Sequence, residues 1–223
     1  MKPINLDDRL LTIANCVRRG CVAADIGTDH GYLAVYLVQN GIAKHVFACD
    51  INEGPLSNAQ ATIKKYGLGD HIETRLSNGL EKIAPNECSD IIIAGMGGEL
   101  IASILSDAQW VKSKDINLCL QPMTKADALR KFLCENSFVI TDETAVAVSG
   151  KIYTCMCVTY GNIKEYDELY YYIGELKNKY DEMSIKYKTR VYNSLKKQAI
   201  CSKDAHLVAL CEALKGYLTN DSK

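Results

Sequence analysis

An excess of either charge is missing from this chain: 26 Lys and Arg stand against 27 Asp and Glu, a net charge of −1. A chain so balanced exerts no general pull on nucleic acid, so any such binding has to use a local patch. Long hydrophobic runs are missing too. No stretch approaches the ~20 apolar residues of a membrane span. The N-terminus has mixed charge and none of the apolar core of a signal peptide. No membrane attachment is expected, and a cytoplasmic location is. The ten cysteines contain no C-x-x-C pair, and His30, His45, His71 and His206 have no ligand spacing. No zinc site, and no other metal, is expected. Cys21, Cys49, Cys119, Cys155 and Cys157 fall in apolar, strand-like runs, where cysteine acts as a small hydrophobe. Reduced thiols without a disulfide framework follow.

Two phosphate-binding loops are also absent. There is no G-x-G-x-x-G and no Gly-Lys-Ser/Thr loop, which disfavours a dinucleotide oxidoreductase or a P-loop enzyme. What stands in their place is Cys21-Val22-Ala23-Ala24-Asp25-Ile26-Gly27-Thr28-Asp29-His30-Gly31-Tyr32-Leu33. An apolar run ends in an acid, a glycine turn follows, and a helical pattern begins. Gly27 can take a positive φ and lets a ligand approach the backbone. The turn's free N–H groups lie at the positive end of the following helix. The acids suit a cofactor with no pyrophosphate and a cationic end, a description that S-adenosylmethionine fits. The alternative is an ordinary strand-to-helix turn.

Along the chain, residues 4–19 read as an amphipathic helix with Arg9 on its apolar side, positioned to reach the loop or to form a local salt bridge. Five β/α repeats follow. Asp50 ends the second strand about 20 residues after the glycine turn, where a carboxylate commonly accepts bonds from ribose hydroxyls. Its alternative role is that of an acid at a helix start. Asn78 follows the third strand and faces an adenine edge or simply makes an Asn-Gly turn. The β-branched run 90–94 reads as a central parallel strand. Gly95-Met96-Gly97-Gly98 follows, where backbone has to come close to cofactor, target base or the next helix. Residues 138–148 and 151–160 alternate around Ser149-Gly150 as a β-hairpin. The expected fold is α/β, a Rossmann-like sheet of order 3-2-1-4-5-7-6 with the seventh strand antiparallel.

Composition shifts after Gly161. Tyr166, Leu169, Ile173, Leu176, Tyr180, Met183 and Tyr187 make a heptad seam, and Leu207, Leu210, Leu214 and Leu218 a second stripe. The expected organisation is a cofactor-binding domain over 1–160 and a coiled-coil hairpin over 161–223, projecting from the core. Residues 184–203 contain no acid but hold Lys186, Lys188, Arg190, Lys196, Lys197 and Lys203. This is the one local cluster suited to phosphates, a solvated helix face being its alternative. The chain is expected to act as a monomer, with a dimer through the seam as the other arrangement.

The first loop, Asp50, Ala94-Gly95-Met96-Gly97-Gly98 and Leu120-Gln121-Pro122 together resemble the bacterial tRNA (adenine-22-N1)-methyltransferase family. The likeness covers residues 1–160, and a helical coiled-coil C-terminal domain is similar to that family's as well. It implies transfer of a methyl from S-adenosylmethionine to N1 of an adenine in tRNA. It further implies Asp25, Gly27 and His30 at the cofactor's amino-acid end, and Asp50 with Ile51 at the ribose. Asn78 and Gly79 would lie beside the adenine, with Gly95 and Met96 under the reacting centre. Asn78 departs from the Asp often found in related sequences. Asp29 is the candidate catalytic group: a carboxylate near the sulfonium, suited to a base that becomes cationic on methylation. Its alternative role is to cap the following helix. Arg9, Tyr32, Gly97, Gln121, Pro122 and the basic residues of 186–197 are candidates for the substrate. Rival readings are a small-molecule or protein methyltransferase and a non-catalytic cofactor-binding scaffold.

Overall fold

The computed structural model describes residues 4–162 and 165–218. Its sheet has seven strands: β1 (Cys21–Ile26), β2 (Ala43–Asp50), β3 (Ile72–Leu76), β4 (Asp90–Gly97), β5 (Asn117–Thr124), β6 (Phe138–Val148) and β7 (Lys151–Tyr160). Their order is β3-β2-β1-β4-β5-β7-β6. β7 pairs antiparallel with both β5 and β6, while the strands from β3 to β5 run parallel. The strand order is as the sequence implies, since the crossovers return each strand parallel and the tight hairpin forces the one reversal, but of the five expected β/α repeats the third has no helix: turns alone join β3 to β4.

Helices α1 (Asp8–Ala14), α2 (Tyr32–Gln39), α3 (Glu53–Tyr66), α4 (Gly98–Asp107) and α5 (Ala126–Glu135) cover the two faces. Strand β4 shows why. Ile91 and Ile93 enter the layer that holds Ile101 and Leu105 of α4, and Ile92 enters the opposite layer with Leu33 and Leu37 of α2. All three isoleucines are fully buried, each side chain stabilising the fold by about 1.5–3 kcal/mol. Consecutive burial on both faces is what the unbroken β-branched run encodes. All ten cysteines are free. Burial pushes the thiols of Cys49 and Cys155 in strands, and of Cys88 in the turn before β4, up to about 12, as expected of buried small hydrophobes.

The C-terminal region departs from the continuous seam. Its elements are α6 (Glu168–Ile173), a 3-10 turn over Gly174–Asn178, α7 (Glu182–Ser202) and α8 (Ala205–Lys215). The antiparallel pair α7–α8 is present, but its first helix begins at residue 182 rather than at 166. Gly174 has φ +51, and a Cβ there would collide with the carboxylate of Glu143 and lie 2.6 Å from Nε of Arg130. That close approach breaks the heptad run into two pieces. Asp181 then starts α7 afresh, its carboxylate accepting from the N–H groups of Met183 and Ser184 at 3.1 and 3.0 Å. Leu169, Ile173, Leu195, Cys211 and Leu214 bury one another, while Leu176 and Tyr187 pack on Ala145 of β6. Leu218 of the second stripe lies just beyond α8.

A buried ion pair fixes these helices to the sheet. Arg130 of α5 donates to Glu143 of β6 at 2.6 and 3.1 Å, and both side chains are fully buried. Arg130 also donates to the carbonyls of Tyr171 and Tyr172 (3.0 and 2.9 Å) and to the hydroxyl of Tyr187 in α7 (3.0 Å). Glu143 accepts from Thr154 and from the N–H of Glu175. Burial works against the charge on Arg130. The Glu143 carboxylate outweighs it and holds the guanidinium pKa above its ordinary value.

Candidate active site

The carboxyl ends of β1, β2 and β4 converge, and the loops that follow them carry most of the expected residues. The parallel register places Ile26 of β1 beside Cys49 of β2 and Ile93 of β4. Gly27 leaves the strand at φ +81, and its N–H and that of Thr28 both donate to the carbonyl of Cys49, at 2.8 and 2.9 Å. A Cβ on Gly27 would strike the methyl of Met96, which reaches across from the end of β4. Gly31 has φ +68 and starts α2, and a Cβ there would sit 3.2 Å from Cα and Cβ of Ala59 in α3.

A cavity of about 300 Å³ lies over this turn. Arg9, Asp25, Gly27, Asp29, His30, Tyr32 and Gly95 all line it, so seven of the expected residues are brought to one place. Asp25 is its buried acid. Desolvation pushes its carboxyl up to about 6, opposed by a hydrogen bond from Thr28 and helped by the nearby charge of Asp50. Asp29 is exposed and lies 3.3 Å from Nε2 of His30, whose ring stacks on Tyr32 with centroids 5.2 Å apart. The capping role considered for Asp29 is not observed: the N-cap of α2 is Gly31, with no side-chain cap bond.

Asp50 stands at the end of β2, between the ends of β1 and β3, and its carboxylate accepts from the N–H of Asn52 at 2.8 Å. Ile51 beside it is 60% exposed, a large apolar side chain offered to whatever lies over the strand ends. Asn78 and Gly79 line a different cavity, of about 320 Å³, with Ile104 and Trp110. The Asn78 amide donates to Glu81 at 2.8 Å, a side-chain partner that the sequence reading did not include.

A family model described as a methyltransferase domain matches residues 6–156. The tRNA (adenine(22)-N(1))-methyltransferase of Bacillus subtilis is 38% identical over 162 residues, 73% of this chain and 68% of that protein. The chain belongs to this methyltransferase family. Of the solved structures that match nearly its full length, two are complexes with the methyl donor or its demethylated product. One is Sp1610 of Streptococcus pneumoniae in complex with S-adenosyl-L-methionine: TM-score 0.87, 30% identity, 96% of this chain and 100% of that one. The other is an M. capricolum relative in complex with S-adenosyl-homocysteine: TM-score 0.81, 28% identity, 96% and 97% covered.

Several substrate-side expectations for this methyltransferase are corrected by burial. Gln121 is fully buried. Its Oε1 accepts from Nη1 of Arg9 at 2.7 Å and from the N–H of Gly95 at 3.1 Å, and its Nε2 donates to the carbonyl of Pro122 at 3.0 Å. It positions the site and is not available to a substrate. Arg9 is thereby held on Gln121, 3.6 Å from Asp7 as well. Pro122 is buried, at the floor of a separate groove. Gly97 and Gly98 face the next turn: a Cβ on residue 97 would lie 3.4 Å from the Thr124 hydroxyl, and one on residue 98 would strike the Lys125 carbonyl. Of the three glycines, only Gly95 borders the cavity over Asp25.

The basic cluster divides in the same way. Lys188 is fully buried and donates to the carbonyl of Lys179 at 2.7 Å, lying over the ring of Tyr180. It cannot grip a phosphate from there, and burial lowers its pKa. Lys186 pairs with Glu182 one turn earlier, and Lys196 lies over Tyr192. Arg190, Lys196 and Lys197 are exposed. Sequence reasoning missed Thr28, whose hydroxyl is the one group that favours the charged form of Asp25 by hydrogen bonding. Its place directly after Gly27 was the available signal.

Proposed function

We propose that this enzyme transfers the methyl group of S-adenosylmethionine to N1 of adenine 22 in tRNA. The observation that carries the reading is the cavity that joins Asp25, Gly27, Asp29 and Gly95, in a chain whose relatives carry that activity in their names. The residues fit such a cofactor. A buried acid faces the cavity and suits an ammonium group, Gly27 and Gly95 hold positive φ and keep Cβ atoms out of it, and Asp50 stands at the neighbouring strand end. Bound there, the cofactor supplies an electrophilic methyl on a sulfonium. Neutral adenine N1 carries its own lone pair, so no proton leaves before attack and the product is a cation. The chain's task is therefore alignment and a negative environment, not strong base chemistry. Asp29 provides the environment, and Gln121 fixes Arg9 and the Gly95 backbone at the cavity wall.

Among the described residues no group of three or more His, Cys, Asp or Glu is placed to hold a metal ion, and no helix is long and apolar enough to cross a membrane. Burial of the heptad residues within one chain supports action as a monomer, and ten free thiols support a reducing, cytoplasmic setting.

The direct test is incubation with labelled S-adenosylmethionine and a tRNA transcript carrying A22, then nucleoside analysis. The expected product is 1-methyladenosine at position 22, absent when that adenine is changed. Incorporation at another base, or none, would overturn the assignment. A second test uses Asp25. An ammonium placed against it favours the ionised carboxylate, so affinity is full above about pH 6, to which burial raises this carboxyl. Below that, each pH unit is expected to weaken binding roughly tenfold, because a proton must first leave. Calorimetry with S-adenosylhomocysteine between about pH 5 and 7.5 reads this directly. A flat profile would remove Asp25 from the ammonium end.

A further inference from the structure

A second groove, of about 420 Å³, lies between the turn joining β5 to α5 and the face of α7. Its walls carry Thr124, Lys125, Tyr153, Tyr172, Arg190 and Gln198, with Asp127 as the one acid. It starts where the site ends. Pro122 at its floor pairs with Met96, and Thr124 pairs with Gly97, so the groove is continuous with the carboxyl end of β4. Two features set Lys125 apart. Its backbone is left-handed, φ 53 and ψ 42, immediately before α5, a conformation uncommon outside glycine that persists only where packing holds it. The packing is the contact of its carbonyl with Gly98. Arg190 approaches from the other wall, over the ring of Tyr187 at 4.9 Å. Among the described residues neither Lys125 nor Arg190 has a carboxylate within 4.0 Å. Lys197 follows Arg190 by two turns on the same edge of α7.

We infer that this groove holds the single-stranded segment of tRNA flanking the target adenine, Lys125 and Arg190 gripping successive phosphates from opposite walls and the Tyr153 and Tyr172 rings meeting an unstacked base. Two unpaired cations on separate elements match two phosphates. Half-buried tyrosines beside them match a base face. An adenine whose N1 is hidden in a folded RNA must be extruded before methylation, and a groove that begins at the β4 end holds the strand open beside the cavity. The inference rests on the proposed tRNA substrate.

The test compares full-length wild type with Lys125→Asn, Arg190→Gln and the double variant. Asn is chosen because it tolerates the left-handed backbone. Lys131→Gln, an exposed site on α5 away from the groove, serves as control. Each single variant is expected to raise KM for tRNA about 3- to 10-fold. The double variant is expected to reduce the slope of log Kd against log salt by about 2, one per phosphate contact. S-adenosylhomocysteine affinity stays at the wild-type level, and Arg190→Lys recovers most of the loss, which a purely packing role for Arg190 would not show. If wild type methylates tRNA while the double variant keeps its KM and salt slope, the groove proposal fails and the function stands. If wild type neither binds nor methylates tRNA, both fall.

Discussion

Replacing Arg130 with alanine is expected to cost about 3–5 kcal/mol of folding stability, the range for leaving one partner of a buried ion pair alone. Glu143 would keep Thr154 and the N–H of Glu175 but lose the one cation it has among the described residues, while fully buried. Six elements meet on this pair: α5, β6, β7, α6, the turn after it, and α7. Against a total stability of about 5–15 kcal/mol the loss is large. Urea unfolding monitored by circular dichroism measures it. A companion variant, Arg130→Met with Glu143→Leu, removes both charges at similar volume and is expected to recover much of the loss. A loss below about 1 kcal/mol for Arg130→Ala would show that the pair is not held as described. The same geometry bears on removing the C-terminal helices. A cut after residue 161 takes away the Tyr171 and Tyr172 carbonyls and the Tyr187 hydroxyl that Arg130 uses. Such a truncation tests stability together with tRNA recognition, whereas point changes in the groove separate them.

Asp29→Ala is expected to slow methyl transfer about 30- to 900-fold, corresponding to roughly 2–4 kcal/mol of transition-state stabilisation. The side chain is exposed, it does not cap α2, and its nearest partner is His30 at 3.3 Å. A carboxylate with so little structural employment, beside a buried acid and a glycine turn, is available to the positive charge that develops on the base. S-adenosylhomocysteine affinity is expected to change less than about threefold, because that ligand lacks the charge that the reaction creates. Asp29→Asn keeps an acceptor without the charge and separates the two contributions. Single-turnover rates within threefold of wild type for Asp29→Ala would remove it from the chemistry.

The sheet was legible because its signals are local. A strand ending in an acid, a glycine turn and a helical period repeat along the chain, and a hairpin closes the series. The cavity over Asp25 was legible for the same reason, since its residues follow strand ends that the parallel order must bring together. Lys188 illustrates what was not. In the sequence it is one cation in an acid-free run, and only the angular position of its side chain on α7 separates it from Arg190. That position depends on where the helix starts, which Gly174 and Asp181 reset. Arg130 and Glu143 were silent because two ordinary charges, 13 residues apart, reveal their pairing only through the register of β6 under α5. Gln121 read as a substrate contact because a polar residue at a strand end looks the same whether it faces a ligand or holds one up.

The hold of Gln121 on Arg9 also sets the order in which the enzyme is completed during synthesis. The guanidinium finds its acceptor 112 residues further on, and the Arg9 carbonyl accepts from the Cys155 thiol 146 residues further on, at 3.8 Å. At translation speeds of about 5–20 residues per second, Arg9 waits roughly 6–22 s for the residue that holds its guanidinium. Until β5 has left the ribosome, the methyl-donor cavity lacks one of its walls.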